Sequence, residues 1–149
     1  MTSQAPALVP ELLVTDLQLS LAFWRDLCGF VIAYERVEEG FAYITRGNVH
    51  VMLEQQGIIR NWVTAPLERP LGRGINFQIS VAEIGSLVSA LRTAGQSLFM
   101  EPETCWYRID AATEVGVEQF LVADPDGYLI RFQSSLGQRQ ISGSSITPE

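Results

Sequence analysis

Two glycines, Gly29 and Gly95, stand 66 residues apart, and each closes a run of apolar residues at helical spacing. Leu17, Leu21, Trp24 and Cys28 precede the first, and Ile84, Leu87, Val88 and Leu91 precede the second. At the same offset Ser20 matches Ser86 and Leu21 matches Leu87. A chain that repeats a helix and its stop in this way reads as an internal duplication.

The elements around each helix repeat as well. ALVPELLV, residues 7–14, is β-branched and proline-interrupted, which suits a strand. Thr15 and Gln18 have capping-box spacing and Asp16 adds negative charge to the first turn, so a helix is predicted over residues 17–28. FVIAYERV, FAYIT and NVHVMLEQ then read as strands, with Gly40 and Arg46-Gly47-Asn48 in the turns. In the second half INFQISV reads as a strand, Ser80 and Glu83 have capping-box spacing, and a helix is predicted over residues 83–94. SLFMEP, VEQFLVA and GYLIRFQ follow as strands, while Trp106 and Tyr107 fall in a long irregular stretch. Asp124-Pro125-Asp126-Gly127 matches a type I turn. The order strand, helix, three strands, twice over, predicts an α+β domain; an ordinary α+β domain without true duplication gives the same order.

At 149 residues the chain suits one domain. Module one covers about residues 7–55, a linker 56–72, and module two about 73–133, all within a single domain, residues 1–133. The linker, QGIIRNWVTAPLERPLG, is long enough to be a binding loop. From Ser134 the sequence SSLGQRQISGSSITPE reads as a flexible C-terminal tail, residues 134–149.

A net charge of -7 repels phosphate backbones and attracts cations, so no nucleic-acid partner is expected. No apolar stretch approaches the roughly 20 residues that span a bilayer, and the first residues lack the pattern of a signal peptide. A cytoplasmic protein with no membrane partner is the expectation. Cys28 and Cys105 have no C-x-x-C spacing and read as free thiols, Cys28 on a buried helix face. LGRG at 71–74 is too short for a nucleotide fingerprint.

Four stretches carry a resemblance: VTDLQLSLAFWRDLCGF at 14–30, HVMLEQ at 50–55, ISVAEIGSLVSALRTAG at 79–95 and WYRIDAATEVGVEQFLVADPDGYLIRFQ at 106–133. In order and spacing they resemble the vicinal oxygen chelate superfamily, and within it the bleomycin-resistance and glyoxalase-like proteins. The resemblance implies two βαβββ modules forming a curved mixed sheet that cups its ligand. Enzymatic members hold a divalent metal there by one side chain near the start of each half and a carboxylate from a later strand of each. Those positions correspond here to Val9, Glu54, Asn76 and Arg131. Only Glu54 is a usual ligand; Val9 has no donor atom, Asn76 offers a weak neutral oxygen, and Arg131 brings a permanent positive charge. The resemblance thus implies no metal, no cofactor and no catalytic set here. The only histidine, His50, lies four residues from Glu54, about 13 Å away at the usual strand rise, so one ion cannot bind both.

If the former ligand positions face the cup, alternation places Glu11 and Leu13 with Val9, His50 and Met52 with Glu54, Gln78 with Asn76, and Leu129 and Gln133 with Arg131. The opposite face is then wholly apolar and lies under the helices. Trp24 reads as core or interface. Resistance members of the family bind a flat, cationic glycopeptide antibiotic at a dimer interface without chemistry, which implies a homodimer sequestering a planar, cationic ligand. Glu11, His50, Glu54, Asn76 and Arg131 would line such a cleft, with Trp62, Trp106 and Tyr107 as stacking surface. The alternative is an enzyme of the superfamily, a lyase, isomerase or ring-cleaving dioxygenase with a non-standard or absent metal site, or a metal-free enzyme with Glu54 as base and His50 or Arg131 polarising the substrate.

Overall fold

The computed structural model describes residues 5–141. Module one contains β1 (Glu11–Val14), α1 (Leu17–Leu21, continuing as a π-helical turn over Ala22–Leu27), β2 (Val31–Arg36), β3 (Phe41–Arg46) and β4 (Val49–Gln55). Module two contains β5 (Asn76–Ser80), α2 (Gly85–Thr93), β6 (Met100–Arg108), β7 (Thr113–Ala123) and β8 (Leu129–Gln140). The architecture is therefore α+β, two βαβββ modules. Their strands form two four-stranded mixed sheets, β1-β4-β3-β2 and β5-β8-β7-β6, rather than one hydrogen-bonded sheet, with the first strand of each module parallel to its last.

Strand alternation sets which residues enter the core. Leu12, Val14, Val51, Leu53, Ile79, Ile130 and Phe132 are buried, Phe77 packs against them, and all belong to one apolar cluster with both helices. The two predicted stripes, Leu17-Leu21-Trp24-Cys28 and Ile84-Leu87-Val88-Leu91, supply the helical side of that cluster. Burial pushes the Cys28 thiol up to about 12, so it stays protonated and inert.

The caps differ from the sequence reading. Asp16, not Thr15, caps α1, accepting from the amides of Gln18 and Leu19. Thr15 is engaged elsewhere, donating from its amide and hydroxyl to Asp126. Ser80 ends β5, and Glu83 serves α2 instead by accepting from the amide and hydroxyl of Ser86. Both caps shift because the Thr and Ser of each motif are claimed by a long-range contact or by the strand. The π turn brings the consecutive Phe23 and Trp24 into the core together, their rings edge to face at 5.8 Å. Gly29, at φ +78°, then ends the helix as expected.

Two further expectations are corrected. Trp106 and Tyr107 lie on β6, which runs longer than SLFMEP, and not in an irregular stretch. Residues 134–140 are not tail: they extend β8 against the first half of β7. Residues 142–149 of the expected tail lie outside the described residues.

The turn at residues 124–127 closes as predicted, Gly127 N–H donating to the Asp124 carbonyl at 3.0 Å, and it also joins the modules. Asp124 accepts from Trp24 Nε1 at 3.1 Å and from the amides of Asp126 and Tyr128. Asp126 accepts from Thr15 and from Arg69 of the linker, and Tyr128 Oη donates to the Leu13 carbonyl. Burial raises the Asp124 carboxyl above its ordinary value against the pull of these donors. No helix among the described residues is long and apolar enough to cross a membrane.

Candidate functional site

The polar face of module one follows from register. On β4, Glu54 lies between Leu13 of β1 and Phe41 of β3, Met52 between Glu11 and Tyr43, and His50 beside Thr45. Tyr34 and Arg36 of β2 continue the face beside Tyr43 and Phe41. The result is a carboxylate pair walled by rings. Glu54 is only 5% exposed, and Asn61 Nδ2 of the linker donates to its Oε2 at 3.1 Å. Partial burial and the charge of Glu54 raise the Glu11 carboxyl above its ordinary value, against the weaker pull of Arg36. Tyr34 stacks on Tyr43 at 4.9 Å, Arg36 lies over Phe41 at 3.9 Å, and Tyr43 Oη is 2.7 Å from His50 Nδ1.

The linker folds beside this face. Asn61 accepts from the Gly57 amide while donating to Glu54, so one side chain ties the loop to the carboxylate. A cavity of about 570 Å³ lies between residues 56–67 of the linker and Leu13. Trp62 does not line it; its ring is 73% exposed, with the Arg60 guanidinium 5.1 Å above.

Module two holds an amide, Gln78, and a guanidinium, Arg131, where module one holds Glu11 and Glu54. Gln78, Arg131, Gln133 and Gln119 share one face through the β5–β8–β7 register, and Arg131 donates to Gln78 Oε1 at 2.8 Å. Gln119 Nε2 donates to Glu103 and to Tyr107 Oη. Tyr107 thus stands on the polar face and Trp106, its neighbour on a strand, on the other. The paired stacking expected of these two rings is not what the strand allows. Trp106 lies against Gly116, with the Arg139 guanidinium 3.8 Å from its ring centroid, so its ring already carries a stacked cation.

His50 and Asn76, from different modules, are brought to one cavity of about 300 Å³ at the seam between the sheets. Glu54 and Arg131 are not: among the described residues no side-chain hydrogen bond or ion pair joins the polar face of one module to that of the other. Nor does any group of three or more His, Cys, Asp or Glu among the described residues come close enough to hold a metal ion. With Val9 lacking a donor and Arg131 occupied by Gln78, the superfamily's metal does not fit these residues.

Sequence reasoning missed Tyr34, Phe41, Tyr43, Asn61 and Gln119. The first three were legible, since alternation from Glu54 through an antiparallel partner places Phe41 and Tyr43 on its face. Asn61 was not, because a linker without periodicity fixes no direction for its side chains.

Comparison with known proteins agrees with this architecture. The family model of the Glyoxalase/Bleomycin resistance protein/Dioxygenase superfamily matches residues 7–132. Glyoxalase domain-containing protein 4 of Rattus norvegicus is 29% identical over 137 residues, 92% of this chain and 43% of that protein. The chain thus spans less than half the length of the curated relatives it matches. Among solved structures, TioX from Micromonospora sp. ML1 superposes with a TM-score of 0.65 at 19% identity, covering 86% of this chain and 97% of that one. A virulence protein from Salmonella typhimurium superposes at 0.62 with 19% identity, covering 90% and 98%. At these identities the two structures speak for the fold alone. The chain belongs to the Glyoxalase/Bleomycin resistance protein/Dioxygenase superfamily.

Proposed function

We propose that this member of the superfamily is a small-molecule binding protein that sequesters a planar, cationic ligand without chemistry, anchoring it on the polar face of module one. The observation that carries the reading is Glu54, a buried carboxylate bonded by a neutral amide and paired with no arginine among the described residues. A buried anion without a cation is costly, and a positively charged ligand lowers that cost. Tyr34, half exposed and stacked on the buried Tyr43, gives such a ligand flat surface on the same face as the charge. A bleomycin-type glycopeptide has the required shape and sign.

The cleft is completed, in this reading, by a second copy of the chain in a homodimer. Ile58, Ile59, Trp62, Val63 and Leu67 of the linker are exposed, an apolar surface that a partner would cover. Sedimentation at micromolar concentration tests this, and a monomer contradicts it.

The binding test is a calorimetric titration with a bleomycin-type glycopeptide, then with N-methylacridinium and its uncharged counterpart acridine. Glu54→Gln should weaken the cation about tenfold and leave acridine within a factor of two. Equal loss for both probes, or none, removes Glu54 as the anchor. A divalent metal recovered at one per chain from protein purified without chelators would instead favour a superfamily enzyme.

A further inference from the structure

The seam cavity is lined by Pro6, Leu8 and Pro10 of the N-terminal arm, by Trp24, by residues 48–51 and by residues 76–79. Consecutive residues of a strand point to opposite faces, so a cavity that touches four in a row meets the strand along its edge. On β4 the β3 side is already paired, and on β5 the β8 side is, which leaves the outer edge of each. Two open strand edges therefore form walls of one slot, with the arm and Trp24 between them.

The open groups can be named. The Met52 amide donates to the Pro10 carbonyl, so the Met52 backbone points toward β1, and that of His50, two residues earlier, points the same way. A parallel ladder continued by one step would pair the His50 carbonyl with the amide of residue 10. Proline has none, so the ladder stops there, and among the described residues neither backbone group of His50 has a partner on that side. On the other wall the Val81 amide donates to Gln133, so residues 77 and 79 point to β8 while the backbones of Asn76 and Gln78 point outward. Gln78 likewise has no backbone partner on its outer side among the described residues.

His50 is half-buried at the wall of this cavity, and an edge amide and carbonyl without partners are open to a guest's hydrogen bonds. The remaining walls are apolar, from Leu8, Val49, Val51, Phe77 and Ile79, which excludes a strongly charged guest. The volume lies at the low end of the roughly 300–1,000 Å³ typical of small-molecule pockets.

We propose that this seam is a second binding site, distinct from the acidic face, for a small, flat, uncharged molecule carrying an amide along its edge, of the lactam class. Its N–H and C=O, which point the same way, meet the carbonyl and amide of His50, while its ring lies against the valines and Trp24 and faces the Gln78 wall. The site owes nothing to Glu54 or to a dimer, so it stands or falls apart from the reading above.

Three probes of similar size decide it: 2-quinolone, with an adjacent N–H and C=O; N-methyl-2-quinolone, without the donor; and naphthalene, without either. Titrated into the 15N-labelled full chain at up to millimolar concentration, 2-quinolone should saturate and shift the amide signals of His50 and Gln78 most. N-methylation should weaken binding about tenfold, and naphthalene should bind more weakly still. Val49→Trp, which fills the slot, should abolish binding. Pro10→Ala, which gives the His50 carbonyl an amide partner, should weaken 2-quinolone several-fold in a chain that stays folded. Absence of saturation, naphthalene binding as tightly as 2-quinolone, signals of His50 and Gln78 that stay still, or an unchanged affinity in Pro10→Ala each overturns the proposal. Preferential capture of a capped tri-alanine overturns it in favour of strand addition by a peptide.

Discussion

Module one and module two share an element order and differ in almost everything on their polar faces. The first gathers Glu11, Glu54 and a wall of tyrosines; the second gathers Gln78, Gln119, Gln133 and Arg131, with Glu103 and Tyr107 bonded to Gln119. Their apolar faces are alike, each a set of branched and aromatic side chains closed under a helix. The 66-residue offset holds at the glycines that end the helices, β1 and β5 match at 67, Leu12 with Ile79 and Glu11 with Gln78, and the later strands do not match, because β7 and β8 run 11 and 12 residues where β3 and β4 run 6 and 7. The lesson is that period and volume fix the side of a sheet that packs, whereas the side that does not pack is free to take on different chemistry in each copy.

The comparison can be broken most severely at the turns that end the third strand of each module, since both grip the first helix. In module two Asp124 holds Trp24 Nε1 and two backbone amides, so Asp124→Ala strands three donors in a buried place. A loss of about 3 kcal/mol or more is expected in urea unfolding. In module one Arg46 donates to the Cys28 carbonyl at the end of the same helix, from a less buried position. Arg46→Ala should cost only about 1 kcal/mol; equal losses at the two turns would erase the asymmetry.

Gly116→Ala tests what is peculiar to module two. A Cβ there would stand 2.6 Å from Trp106 Cη2, and the ring is hemmed in by Arg139. A loss of about 1–2 kcal/mol and a change in tryptophan emission are expected. Unchanged emission would mean that the ring does not rest on the glycine.

The smallest effect belongs to the acidic face of module one. Because the folded carboxyl of Glu11 is raised above its ordinary 4.5, its contribution to stability is fully present below that value and is lost as pH rises through the raised one. Glu11→Gln should therefore be slightly more stable than the parent at neutral pH, and the difference should vanish toward pH 4. Thermal melts at the two pH values check both the sign and the window.

The sequence was informative where one side of an element meets the core. Leu17 to Cys28 and Ile84 to Leu91 fall at helical period, and the buried residues of β1, β4, β5 and β8 fall at period two, so faces followed from spacing. It misled where a polar side chain had two possible partners. Thr15 looks like a cap in sequence, yet Asp126 lies 111 residues away and takes its hydroxyl. Trp106 looked free because β6 carries a proline and charges that disguise a strand, and the SSLGQRQ stretch looked loose for want of apolar alternation. Glu54 and His50 were legible as polar residues on a packed strand; that Glu54 meets Asn61, and that His50 shares a cavity with Asn76, depends on how the linker and the sheet edges meet.

The bonds between Thr15 and Asp126, Trp24 and Asp124, and Leu13 and Tyr128 join residues 111, 100 and 115 positions apart. They close the chain into a loop whose ends are secured by hydrogen bonds rather than by covalent linkage. Closing so long a loop carries an entropic cost that nearby contacts do not share, so these bonds depend on both modules being in place. The covalent connection at residues 56–67 is then one of two joints between the modules. Two fragments separated within it retain every element of their own module and the means to find each other, so the gene could be divided there and its halves assembled after synthesis.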